Sequence, residues 1–536
     1  MGVTRRSLVV GAAGASLMPA ELFPIAGWRS SRSVRRFHYS VSGETIDADP
    51  ELLQRVRDAG ITDIWFWWWV GPPITDDVLA KHRGWIQRIE AAGMAAHLIT
   101  VPFGHPAEGP KQPEFPITGH WGVRPDGSTY GGTAYHPPIL EESLTAVARF
   151  RGLGIRRYFV DDDFRLAQTP FDIGGCFCPQ HKAGFLRRYG YPEAGWQELL
   201  DDVRTRSVTQ MLRAWAEYVC DELSRVFRRL RSACEPDCVQ GVMVMYLGCE
   251  RAGIRLPDYR GVPFRVGELM FDDAGFNPPK GKTDELFGVL FHRRFVRPEL
   301  AFSETTAFLP QNLSPRNGMA KLCTSTIADV RNTMFMCMNL ADWMRREPGL
   351  IPAQIKKHAA IHARLAGHRL RGPFKHFYGE HSRLAGGDWP YSLFLGLGVP
   401  FEVTENPASD GWTFLSDLDA RALEEGRLRS PGTRFVYRPA AARRRDGRAV
   451  AENLQELFAF RRELLPDLGA TAPYVEEEEP VVCAWYPTAR SVLLWNLQDR
   501  RADLTLCVGR ERRTVHLAPL DLELVEGVQL PETPGA

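Results

Sequence analysis

The 536-residue chain lacks any apolar run approaching the ~20 residues that cross a bilayer, so no membrane-spanning helix is expected. It also lacks a charge excess. Lys and Arg total 66 against 65 Asp and Glu, a formal net charge of +1, which excludes the basic footprint of a nucleic-acid or membrane-surface protein. Ten cysteines are too few for a disulfide scaffold at this length. Cys220, Cys249, Cys323, Cys337, Cys483 and Cys507 read as small buried hydrophobes, Cys234 and Cys238 are spaced closely enough to bridge, and Cys176 and Cys178 stand apart by their spacing. Aromatic residues are plentiful at 11%, including 14 Trp, and exposed aromatic faces are what carbohydrate clefts use to stack on sugar rings.

Residues 1–32 read as an export segment. Thr4-Arg5-Arg6-Ser7-Leu8-Val9-Val10 and the Gly/Ala-rich run through Leu17 form a twin-arginine pattern, with cleavage expected after Ala20 or Ala26 and a periplasmic or secreted destination.

From Arg36 onward, short β-rich runs alternate with helical periodicity. Strands are expected at Phe37–Val41, Ile61–Trp68, Met94–Val101, Ile155–Val160, Val239–Tyr246, Phe264–Phe271, Leu300–Ser303 and Asn332–Cys337. Eight strands alternating with helices predict an α/β fold, a (β/α)8 TIM barrel, over residues 33–368. A smaller α/β domain is expected over 369–447. A helix and an antiparallel β domain follow over 448–536.

Barrels of this kind carry their chemistry at the C-terminal strand ends. The stretch from Ile155 to His181 is the richest there, because a buried strand runs into Asp161, Asp162 and Asp163, and three adjacent carboxylates are costly to desolvate without a substrate, a cation or basic partners. Strand seven ends in Phe302-Ser303-Glu304. Strands four and seven face each other across the mouth, so Asp163 and Glu304 are the candidate catalytic pair, suited to double displacement at a glycosidic bond. His38, Trp67, Trp121, Tyr246 and Trp343 are candidate sugar contacts by strand-end position. Glu268, Asp272 and Asp273, after strand six, rival Glu304 for the ionised carboxylate.

These residues resemble the retaining glycosidases with acid/base on strand four and nucleophile on strand seven, and most of all glycoside hydrolase family 42, the bacterial β-galactosidases. That family has Asn-Glu-Tyr after strand four, then a C-[YF]-C-x-x-C motif and a Tyr-Gly; here Asp162-Asp163-Phe164, Cys176-Phe177-Cys178-Pro179-Gln180-His181 and Tyr189-Gly190 stand in those places. The resemblance implies an α/β trimerisation domain after the barrel, hence a homo-oligomer (trimer or dimer), and a carbohydrate substrate with no organic cofactor. It also implies that Asp162 holds a sugar hydroxyl. Asp for Asn removes an amide donor and Asp for Glu shortens the acid by one methylene, which separates this chain from galactosidase specificity. Some family members bind structural zinc, and the likeness points to Cys176, Cys178, His181 and His136 as ligands. Two other readings remain: a carbohydrate-binding barrel without catalysis, and a metal-dependent hydrolase using the Asp161 to Asp163 cluster.

Overall fold

The computed structural model describes residues 35–530 apart from 70–73, 102–106, 109–121, 132–136, 156, 162–163, 167–171, 237, 245–246, 248–249, 267–268, 388 and 443–446. The twin-arginine segment lies outside the described residues. Eight parallel strands close into a barrel: β1 (Arg36–Ser40), β2 (Asp63–Trp69), β3 (Ala95–Val101), β4 (Arg157–Val160), β5 (Val239–Val244), β6 (Phe264–Val266), β7 (Ala301–Thr306) and β8 (Asn332–Met336). Each strand pairs with the next and β8 closes onto β1. The fold class read from the sequence is the one observed.

Local chemistry explains the alternation. Gly93 and Gly154, at φ of 79° and 77°, end the helices before β3 and β4 in a left-handed conformation that a side chain would strain. Barrel-facing side chains then fill the lumen in layers, with Trp65, Ile99, Phe159, Phe302, Met334 and Met336 forming one buried cluster. Gly241 on β5 makes room for it, since a Cβ there would sit 2.4 Å from the Phe159 ring.

Two strand ends differ from expectation. β6 is described as Phe264–Val266, and by Leu269 and Met270 the chain has left the sheet, the two backbone amides donating to the buried carboxylate of Glu285 (3.1 and 2.8 Å) rather than to a neighbouring strand. β7 runs on to Thr306, so Glu304 lies within the strand, paired in register with Met334 of β8.

The second domain holds five parallel strands, β9 (Phe374–His376), β10 (Phe401–Val403), β11 (Trp412–Phe414), β12 (Phe435–Tyr437) and β13 (Gly447–Ala449), in the order β10-β9-β11-β12-β13. That is the flavodoxin-like order. Its last strand, Gly447–Ala449, runs across the boundary at 447 expected from the sequence. The C-terminal strands form two three-stranded antiparallel sheets whose facing Val475, Val481, Val492, Leu494, Leu504 and Leu506 make a separate core. Tyr486 ties this unit to the barrel through its hydroxyl, which donates to the Ile327 carbonyl at 2.8 Å. Among the described residues no helix is long and apolar enough to cross a membrane.

Candidate active site

The barrel interior is best followed from its floor upward. Near the floor, Asp63 accepts from His97 Nε2 at 2.9 Å and from Arg36 at 2.8 Å, and His38 lies 3.6 Å from it. Trp65 Nε1 donates to His38 Nδ1 at 3.0 Å, which fixes Nδ1 as an acceptor and leaves the proton on Nε2, facing Asn332 Oδ1 at 3.4 Å. Burial, only partly offset by Asp63, pushes His38 down to about 3, so the ring is neutral. This corrects the reading of His38 as a sugar contact. It sits in the middle of β1, fully buried, with the aromatic layer of Trp65 and Phe302 packed against it.

His376 in the second domain repeats the pattern. Its Nδ1 donates to the Phe377 carbonyl at 2.6 Å, Nε2 accepts from the Tyr391 amide at 2.9 Å, and burial lowers it to about 3. A histidine neutral in the fold but free to protonate when unfolded stabilises the protein fully above ~6.5, and each costs ~1.4 kcal/mol per pH unit as pH falls below that value toward its folded pKa. Asp63, held well below the usual carboxylate range against the opposing effect of burial by the hydrogen bond from His97 and the Arg36 cation, keeps its contribution down to about pH 4. Denaturant midpoints are therefore expected to be flat from pH 8 to 6.5 and to drop by ~2–3 kcal/mol between pH 6 and 5. A flat profile through pH 5 would contradict this account.

Above the aromatic layer lies the charged one. Arg265 of β6 is fully buried, with its guanidinium carbon 5.7 Å from the centre of the Phe159 ring. Its Nη2 lies 3.2 Å from Asp161 Oδ1 and 3.1 Å from Glu304 Oε1. Asp161 and Glu304 are 4% and 6% exposed, so one guanidinium joins a strand-four carboxylate to a strand-seven carboxylate in a site closed to bulk water. At such distances a fixed cation strongly favours the ionised form of each carboxylate.

The other expected residues divide clearly. Asp162, Asp163, Trp121, Tyr246, Glu268 and His136 lie outside the described residues, and Trp67 is described only as part of β2. Trp343, on the helix Leu340–Arg346, is buried at 4% exposure and packs where a Cβ on Gly318 would touch its ring, so it fills the space between two helices and offers no face to a sugar. Asp272 caps the helix Asp273–Phe276 by accepting from the Gly275 amide at 2.7 Å, and Asp273 accepts from the Ser314 amide and Asn317 Nδ2. Of the three rivals to Glu304, these two are committed to local structure.

Two features escaped the sequence reading. Arg265 was visible as a lone cation between Phe264 and Val266, a placement that requires buried counter-charges. Phe308, 65% exposed two residues beyond β7, presents its ring at the barrel rim while its amide donates to the Phe271 carbonyl at 2.9 Å.

Beside the barrel, Cys176, Cys178 and His181 converge. Each offers a ligand atom within 4.8 Å of the others, all three are buried, and Cys178 Sγ lies 3.2 Å from His181 Nδ1. Hydrogen bonding to Cys178 and burial push the Cys176 thiol well up. The Phe177 amide donates to the Val123 carbonyl at 2.8 Å and Tyr130 Oη to the Gly175 carbonyl at 3.2 Å, so the loop after β3 is laid against the cysteine turn.

No family model and no curated protein matches the chain. Among solved structures it is similar to an α-galactosidase from Thermus thermophilus (14% identity, 61% of this chain and 62% of that one, TM-score 0.35). It is also similar to the catalytic domain of a β-amylase from Paenibacillus polymyxa (11% identity, 56% and 92%, TM-score 0.38) and to a family 27 β-L-arabinopyranosidase from Geobacillus stearothermophilus (8% identity, 92% and 96%, TM-score 0.40). The chain thus spans less than two thirds of the Thermus enzyme. Likenesses at these identities and TM-scores do not show membership of family 42.

Proposed function

We propose that the protein is an exported retaining glycoside hydrolase in which Glu304 attacks the anomeric carbon and Asp163 protonates the leaving oxygen. The observation that carries this reading is the Asp161–Arg265–Glu304 bridge. A nucleophilic carboxylate must be ionised, oriented and shielded from water, and a buried guanidinium 3.1 Å away supplies the first two conditions. Asp161 is held as a charged partner of Arg265 and is poorly suited to donate a proton. The acid role therefore falls to Asp163, two residues on in the sequence. Phe308 at the rim gives a sugar ring an apolar face. The pairing of Asp161 with Arg265 also weakens the metal-hydrolase reading, since the first ligand of that cluster already has its counter-charge.

A panel of aryl glycosides with product configuration followed by NMR tests the proposal. Turnover with retention and without sensitivity to chelator supports it; binding without turnover would favour the non-catalytic barrel. Lys in place of Arg5 and Arg6 should leave the precursor in the cytoplasm if export follows the twin-arginine route.

Cys176, Cys178 and His181 would hold a structural zinc, with His136 as fourth ligand, and their spacing fits a tetrahedral ion. The ion would tie the turn after β4 to the loop after β3. Elemental analysis after zinc-replete expression is expected to give close to one equivalent, falling below a tenth of that in Cys176→Ser. Metal-free wild-type protein would refute it.

A further inference from the structure

A cavity of about 630 Å³ opens between the floor of the barrel and the edge of the second domain. It is lined by Arg293 and Arg294 at the end of the helix Pro279–Arg293, by Asp329 just before β8, by Arg369 and Arg371 in the connection between the domains, and by Glu402 on β10. Because Asp329 precedes a barrel strand, this is the end opposite the Glu304 mouth, and the cavity is separate from the proposed active site.

Its charges are unevenly satisfied. Asp329 accepts from His362 Nε2 at 2.9 Å and lies 3.4 Å from Arg331 and 3.6 Å from Arg293. Glu402 lies 3.1 Å from Arg371 and 3.4 Å from Lys375, while Glu405, also on the lining, lies 3.8 Å from Arg260. Every acidic group on the wall thus has a basic partner. Two arginines do not have an acidic one. Arg294 lies against the Phe291 and Phe295 rings, at 4.9 and 5.3 Å, gives its Nε hydrogen to the Phe291 carbonyl, and has a buried Nη1 with no hydrogen-bond partner among the described residues. Arg369 is exposed on the lining and forms no ion pair with a described residue. Burial with only Glu405 nearby to offset it pushes Arg294 down to about 9, the signature of a cation short of counter-charge.

We propose that this cavity binds a small molecule carrying a tetrahedral oxyanion, phosphate or sulfate, which Arg294 grips from the barrel and Arg369 from the connection between the domains. Guanidinium groups match such oxyanions bidentately. The volume falls in the ~300–1,000 Å³ range of small-molecule sites, so the ligand is larger than a bare ion, of the size of a sugar phosphate. Bound there, it would brace the flavodoxin-like domain against the barrel floor.

Isothermal titration of the full protein with inorganic phosphate, glucose 6-phosphate and glucose tests this. Saturable binding of glucose 6-phosphate is expected, weaker binding of phosphate and none of glucose, with Kd raised at least tenfold in Arg369→Ala and in Arg294→Met and largely restored in Arg369→Lys. Equal affinity for phosphate and glucose 6-phosphate, still lost in Arg369→Ala, would assign the site to the free oxyanion and support the same arginine grip. Absence of saturable binding to wild type, or a Kd unchanged in Arg369→Ala, would overturn the proposal, and Arg369 is exposed enough that its replacement does not threaten the fold.

Discussion

Glu304→Gln is expected to lower kcat by on the order of 10⁴ or more with little change in folding, because the amide cannot form the glycosyl ester on which double displacement depends. Gln has the same shape and keeps an oxygen facing Arg265, so the buried bridge loses charge but not its geometry. Sugar affinity, read by titration with substrate, should therefore survive where turnover does not. Asp163→Asn separates the second role. It should slow substrates with poor leaving groups most, and azide should recover part of the rate by replacing the water that needs a base. A Glu304→Gln protein that keeps near wild-type turnover, or products of inverted configuration, would remove the assignment. The search would then move to Glu268, since Asp272 and Asp273 are bound into local turns.

The barrel was legible because its signals are local and repeated. The strands are short runs such as Ile64-Trp65-Phe66, the second to fourth of them set off by Gly60, Gly93 and Gly154, and eight repetitions leave few alternatives to closure. Strand ends were less legible, because they depend on which distant group takes the last amides. The amides of Leu269 and Met270 are taken by Glu285 on the helix Pro279–Arg293, and nothing in the run from Phe264 to Phe271 announces that. The same limit explains His38. Its place in β1 could be read, but its depth below Trp65 follows from barrel register, which pairs it with Asp63 and Met334. The carboxylates of the site were visible as residue types. The bridge was not, since Asp161, Arg265 and Glu304 are joined only when strands four, six and seven close on one lumen.

That bridge gives the second large expectation. Arg265→Met keeps the apolar stem over Phe159 but leaves Asp161 and Glu304 facing each other without the cation, in a site where both are nearly fully buried. Breaking one partner out of a buried ionic cluster costs about 3–5 kcal/mol, so a clear fall in the denaturant midpoint is expected. The functional consequence is more specific. Two buried carboxylates that close cannot both stay charged, so one takes up a proton and the fraction of enzyme with ionised Glu304 falls at neutral pH. The acid limb of the kcat/KM profile should rise by a unit or more, and activity at pH 8 should recover relative to activity at pH 6. Arg265→Lys should restore part of the stability and move the limb back, although an ammonium on a more flexible stem does not reproduce the fixed placement of Nη2 between the two oxygens. An arginine that only fills the lumen would give a different result, namely lost stability with an unmoved acid limb and a wild-type kcat. That outcome would detach Arg265 from the chemistry and, with it, the main structural support for Glu304 as the nucleophile.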